Sequence, residues 1–203
     1  MRLSCLSAVL VAVGGAAFAQ QPTTRPPATA TTEPSRLAAE YYVQRAGVSW
    51  TYQYGKGRAH WNVTAFVDWR VSFSFSEGKK SGSGVWRMKD GTWLERNSAR
   101  GDAETVLLPA VMSVGTRWTA PPSVERGTRD TSQYEVLALD ASVEMPNGVS
   151  VDHCLAVLET AADGSDQYTH YYAPNIGRVA VRGPEDWVMR LLEFNPGSRG
   201  HAE

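Results

Sequence analysis

Cysteine is almost missing from this chain of 203 residues; only Cys5 and Cys154 occur. Cys5 lies in a leader-like stretch, and Cys154 alone cannot close an intramolecular disulfide. The domain must therefore stand on its core rather than on crosslinks. Histidine is equally thin. His60, His153, His170 and His201 show no H-x-x-x-H spacing, and no C-x-x-C is present. The usual zinc spacings are thereby excluded, and no metal or other cofactor is expected. Charge bias is lacking too. The 20 basic residues face 21 acidic ones, which argues against a nucleic-acid partner. No polybasic run is available for an anionic membrane surface. Past residue 19, no stretch nears the roughly 18 consecutive apolar residues of a spanning helix. There is no glycine-rich phosphate loop and no G-x-S-x-G elbow.

What is there begins with a leader. Met1-Arg2 gives a positive start, Leu6 to Gly15 is a short apolar run, and Ala17-Phe18-Ala19 has the small-x-small form of a cleavage site. Residues 1–19 therefore read as a secretory signal peptide. The expected location is the periplasm, or the extracellular face or cell envelope, of a Gram-negative bacterium. Loss of the leader removes Arg2 and no acidic residue, leaving 19 basic residues against 21 acidic. Residues 20–36 carry Pro22, Pro26, Pro27 and Pro34 among threonines and alanines, a composition that reads as a disordered spacer. Residues 37–197 form the expected β-rich domain, and 198–203 a disordered tail. The domain, at roughly 165 residues, is long enough for one well-buried core.

The strongest pattern runs from Trp61 to Ser76. Trp61, Val63, Ala65, Val67, Trp69, Val71, Phe73 and Phe75 alternate with polar residues, and only Phe66 breaks the order. A period of two places them on one face of β structure. The run would extend about 50 Å, longer than an ordinary strand. It must bend, bulge or pass between two strands without a turn signal, and Phe66 with Asp68 marks the place. Hairpins are expected about Asp90-Gly91, Pro146-Asn147-Gly148 and Pro174-Asn175-Ile176-Gly177, with a last strand from Trp187 to Phe194. Gly78 to Gly84 reads as a loop. Leu37 to Arg45, capped by Ser35 and ended by Gly47, reads as one short helix. The expected fold is mainly β: a single curved antiparallel sheet or open half-barrel with one short N-terminal helix. A transmembrane barrel fits less well, because only one alternating run is long and clean. Gly47 and Trp50 are echoed by Gly115 and Trp118, a pattern in which tryptophan anchors the entering strand.

No constellation speaks for catalysis. His153 and Cys154 are neighbours on a strand and point to opposite faces. Asp163-Gly164-Ser165-Asp166 lacks the glycine position and terminal glutamate of a calcium loop and reads as a turn. Paired acids such as Asp102 with Glu104, or Glu185 with Asp186, read as solvated surface, and Lys79-Lys80 as a charge pair. No catalytic residue is expected. The residues that would line a concave apolar face are Trp61, Trp69, Phe73 and Phe75.

Tyr41-Tyr42-Val43-Gln44-Arg45-Ala46-Gly47-Val48-Ser49-Trp50-Thr51-Tyr52-Gln53-Tyr54 resembles the opening of a group of exported bacterial proteins related to the DUF3108-like family. Leu107-Leu108-Pro109 followed by Val114 to Trp118, the strand Gly148 to Val157, and Tyr171-Tyr172-Ala173-Pro174-Asn175-Ile176-Gly177-Arg178-Val179 are similar to its later elements, in the same order. The chain departs from the pattern at Ala46, where lysine is commoner, and at Asn175, where glycine is commoner. The resemblance implies a curved antiparallel sheet akin to the half-barrels of periplasmic lipoprotein carriers, and it brings no catalytic residues. The expectation is a non-enzymatic exported binding domain for a lipid or other apolar ligand. A structural or interaction module that holds an envelope protein is the alternative, and an unrecognised hydrolase is a weaker one.

Overall fold

The structure, a computed structural model, describes residues 34–97, 104–121 and 131–197. The leader, the spacer up to residue 33 and the tail lie outside the described residues. In chain order the strands are β1 (Arg36–Leu37), β2 (Ser49–Tyr54), β3 (Gly57–Val67), β4 (Arg70–Glu77), β5 (Lys80–Lys89), β6 (Thr92–Asn97), β7 (Glu104–Leu108), β8 (Val111–Met112), β9 (Arg117–Ala120), β10 (Ser132–Glu144), β11 (Ser150–Thr160), β12 (Gln167–Ala173), β13 (Gly177–Arg182) and β14 (Trp187–Asn195).

Twelve of these strands build one antiparallel sheet in the order β7-β6-β5-β4-β3-β2-β14-β13-β12-β11-β10-β9. It consists of two six-stranded meanders, β2 to β7 and β9 to β14, joined where β2 pairs with β14. The far edges, β7 and β9, come into contact. The sheet therefore curls beyond a half-barrel into a nearly closed barrel. The sequence echo now has a structural meaning, because it opens each meander. Gly47 N–H donates to the Val63 carbonyl (3.0 Å) and Gly115 N–H to the Val136 carbonyl (2.8 Å). Each glycine has a positive φ, 77° and 86°, a backbone geometry that glycine adopts at little cost.

The run from Trp61 to Ser76 is a hairpin. Val67 pairs with Arg70 across the two-residue turn Asp68-Trp69. Such a turn should shift the inward phase between the two arms. Thr64, however, is unpaired between Val63↔Phe73 and Ala65↔Ser72, and this β-bulge shifts the phase back. Phe66 falls between bulge and turn, opposite the buried Val71. That is why it alone breaks the alternation.

Two sequence expectations are corrected. No α-helix spans Leu37 to Arg45; the segment holds only a three-residue 3-10 turn, Ala38–Glu40. Tyr41, Tyr42 and Val43 are buried in succession, and three consecutive residues cannot share one helical face. Beyond that turn the segment is an irregular strap. It is tied by Ala38 N–H to the Ala110 carbonyl (3.2 Å) and by Asn175 N–H to the Glu40 carbonyl (2.8 Å). The stretch Gly78 to Gly84 is not a loop either, since β5 begins at Lys80. A Cβ at Gly84 would lie 2.5 Å from the Phe73 ring and 2.6 Å from the Arg96 carbonyl. Glycine is needed there for close strand packing, not for a turn.

Candidate functional site

Aromatic rings from five neighbouring strands, β2 to β6, converge on the inner face. Phe73 on β4 stacks on Trp86 of β5 at 4.3 Å between centroids, and Trp61 of β3 stacks on Phe73 (5.2 Å) and Phe75 (5.1 Å). Trp50 and Trp93 meet Trp86 edge-on at 5.9 and 5.7 Å. Cross-strand pairing produces this cluster, because Trp50 lies opposite Trp61 and Trp61 opposite Phe75. Edge-to-face and offset contacts of this kind add stability beyond the area they bury.

Within the cluster is a cavity of about 30 Å³, lined by Trp50, Tyr52, Trp61, Trp86, Trp93 and Tyr172 together with the polar Glu95 and Arg178. That is room for one or two ordered waters. Val43 of the strap and Ile176 of the β12–β13 turn also line it. Trp86 Nε1 donates to Glu95 (2.8 Å), Trp50 Nε1 to the Ile176 carbonyl (2.8 Å) and the Tyr52 hydroxyl to the Arg178 carbonyl (2.8 Å). Among the described residues, the buried Trp93 Nε1 has no hydrogen-bond partner. The Arg178 guanidinium lies over the Trp61 ring, 5.7 Å from its centroid, in cation–π geometry. Burial opposes its charge, but Tyr172, Tyr52, Glu95 and Glu159 outweigh burial and hold its pKa above the ordinary value. Burial also raises Tyr52 well above the usual phenol range, against a smaller opposing effect of Arg178.

Of the four sequence-predicted residues, Trp61 lines the cavity, and Phe73 and Phe75 stack directly on it. Trp69 sits elsewhere, on the β3–β4 turn, and is 60% exposed. The sequence reading missed Trp86, Trp93, Glu95 and Arg178. Glu95 carried a signal, since it follows Trp93 at a spacing of two and thus shares its inward face. A carboxylate in an inward phase is rare unless it is paired.

A second polar group is buried where β10, β11 and β12 pair. Ser132 Oγ donates to Glu159 (3.0 Å), and His170 Nε2 lies 2.8 Å from the other Glu159 oxygen. All three residues are nearly inaccessible. The carboxylate sits between hydroxyl and imidazole. A serine nucleophile needs the imidazole in that place, so this order braces three strands rather than activating Ser132.

The Cys154 thiol is buried. Burial first, and Asp152 second, push its pKa up to about 11, which keeps it protonated and unreactive near neutrality. His153 projects to solvent and meets Asp140 at 2.6 Å. Asp163 closes a local turn by accepting from the Ser165 amide (2.9 Å). No metal-holding group of His, Cys, Asp and Glu occurs among the described residues. Nor is any helix among them long and apolar enough to cross a membrane. Comparison of the chain with protein-family models, curated proteins and solved structures finds no match.

Proposed function

We propose that this chain is an exported, non-enzymatic binding domain of the bacterial periplasm or cell envelope. Its ligand would be a lipid or other apolar molecule taken up among the interior indoles. One observation carries the reading. Trp93 lines an aromatic cavity, and its buried Nε1 has no acceptor among the described residues. An unmet buried donor costs about 1–3 kcal/mol. A bound molecule with one acceptor atom, or an ordered water, removes that cost. Arg178 and Glu95 would orient the polar end of such a ligand, and the rings would cover the rest. A cavity of about 30 Å³ is too small for an acyl chain as it stands. Entry requires Val43 and Ile176 to move aside. The leader-like residues 1–19 and the resemblance to the DUF3108-like group support the location.

The test is native mass spectrometry of protein recovered from a bacterial periplasm, combined with thermal unfolding in the presence of fatty acid. The expected result is an adduct mass on the wild-type chain that Trp93→Phe loses, and a higher unfolding midpoint with the lipid. A bare polypeptide mass together with an unmoved midpoint would reject the lipid reading. The fullness of the interior then favours the second reading, a structural or interaction module that uses its outer surface to hold an envelope protein.

A further inference from the structure

The β3–β4 turn breaks a local rule at an exposed ring. Asp68 and Trp69 both have positive φ, 50° and 61°. Asparagine, aspartate and glycine tolerate this region, whereas a bulky residue there is an outlier. Trp69 is nevertheless 60% exposed, so its ring gains little burial. Val67 and Phe66 beside it are 62% and 36% exposed, and Phe66 meets Trp69 edge-on at 6.5 Å. The tip is also held in place. The Trp69 carbonyl accepts from the Tyr42 hydroxyl (3.0 Å) and from Met88 N–H (3.4 Å).

The outer face behind the tip breaks a second rule. Val67 lies opposite Arg70, and Arg70 lies directly opposite Arg87. Like charges in that position repel. Glu104 forms a tight ion pair with Arg87 and lies opposite Arg96 in the β6–β7 register, whereas Arg70 has Val67 and Arg87 as its cross-strand neighbours. Arg70, Arg87, Arg96 and Glu104 line a groove of about 750 Å³ that runs back from Val67 and Asp68. The sequence hides this patch because its arginines come from three different strands. An apolar tip carrying an indole, backed by guanidinium groups, matches the layering of a bilayer surface. Indoles settle at the headgroup level, and arginine forms bidentate bonds with phosphate.

We propose that the β3–β4 tip docks this domain onto an anionic phospholipid surface. Phe66, Val67 and Trp69 enter the boundary between headgroups and acyl chains, and Arg70 and Arg96 contact the phosphates. The proposal does not depend on a ligand in the interior.

The experiment is vesicle co-sedimentation of the full chain. One set of vesicles is phosphatidylcholine alone, and the other is equal parts phosphatidylcholine and phosphatidylglycerol. Binding to the mixed vesicles should weaken as salt rises. Trp69→Gly suits the turn better than tryptophan does, so its unfolding midpoint should be no lower while its vesicle binding falls about tenfold. Arg70→Ser with Arg96→Ser should remove the preference for phosphatidylglycerol. The proposal is overturned if the wild-type chain stays in the supernatant with both vesicles, or if Trp69→Gly binds as well as wild type. It is equally overturned if the tip is shielded only by a protein from an envelope extract and never by lipid.

Discussion

Two neighbouring hairpins of this sheet turn in the same way and are built differently. The β5–β6 turn is Asp90-Gly91, with φ of 50° and 78°, and the β3–β4 turn is Asp68-Trp69, with φ of 50° and 61°. Both use aspartate first, and both connect strands in a tight two-residue register. At the second position one has the residue the backbone favours, and the other has the largest side chain available. Gly91 is exposed as well, but it lies close against a neighbouring segment, since a Cβ there would meet the Ala110 methyl at 3.0 Å. The Trp69 turn faces solvent. One turn is shaped by the fold, and the other accepts strain in order to present a ring. Observed strain of this sort points toward a use outside the fold.

Exchanging the second residues puts that contrast to work. Gly91→Trp should produce the largest effect. It forces a bulky residue to positive φ and drives it into Ala110, so chemical denaturation should show a loss of about 2 kcal/mol or more. Next comes Tyr42→Phe, which deletes the hydroxyl bonded to the carbonyls of Trp69 (3.0 Å) and Trp86 (3.1 Å). A loss of about 1 kcal/mol is expected. Amide exchange should rise at the Trp69 turn and stay unchanged at Gly91. Trp69→Gly should have the opposite sign, from neutral to about 1 kcal/mol more stable. A clear loss of stability would show that the ring supports the fold after all.

Alkaline titration should treat both turns alike, because it acts on the interior. Burial raises the Cys154 thiol to about 11, and burial with Glu40 raises the Tyr41 phenol to about 12. Both groups hold their protons more tightly when folded. Their contribution is complete below the unfolded values and is lost as pH rises through the folded ones. For the thiol that window runs from about 8.5 up to about 11. Cys154→Ala should flatten the fall of unfolding midpoint across it, with no difference between the hairpins.

The same two turns show what the sequence could express. Asp90-Gly91, Asn147-Gly148 and the Asn175 turn were legible because asparagine, aspartate and glycine announce positive φ. Asp68-Trp69 was not, since tryptophan is no turn residue, and the bulge at Thr64 erased the phase change that would have exposed the reversal. Bulge and turn cancelled, leaving Phe66 as the single trace. Gly84 misled in the other direction. It looked like loop composition, but it is a strand glycine under the Phe73 ring. The helix expectation failed because Tyr41, Tyr42 and Val43 are all buried, which period-based reading cannot represent. For the site, the aromatic wall was half visible through Trp61, Phe73 and Phe75. Glu95 and Arg178 stayed hidden because charged residues are usually taken as surface, and it is strand pairing that brings them to one cavity.

The arrangement of the sheet as two meanders bears on when the protein can finish folding. Within β2 to β7 and within β9 to β14, every strand pairs with its sequence neighbour, so these contacts are local and quick to form. The pairing of β2 with β14 is different. Bonds that cross the same seam, from Trp50 to Ile176 and from Tyr52 to Arg178, each span 126 positions. As the chain emerges from the ribosome, β2 pairs with β3 at once, but its other edge stays open until the last strand arrives. For that interval an edge rich in tyrosine and tryptophan is exposed to any passing strand. A chain cut short before Trp187 would keep that edge open for good, and its failure would be aggregation rather than a smaller folded domain.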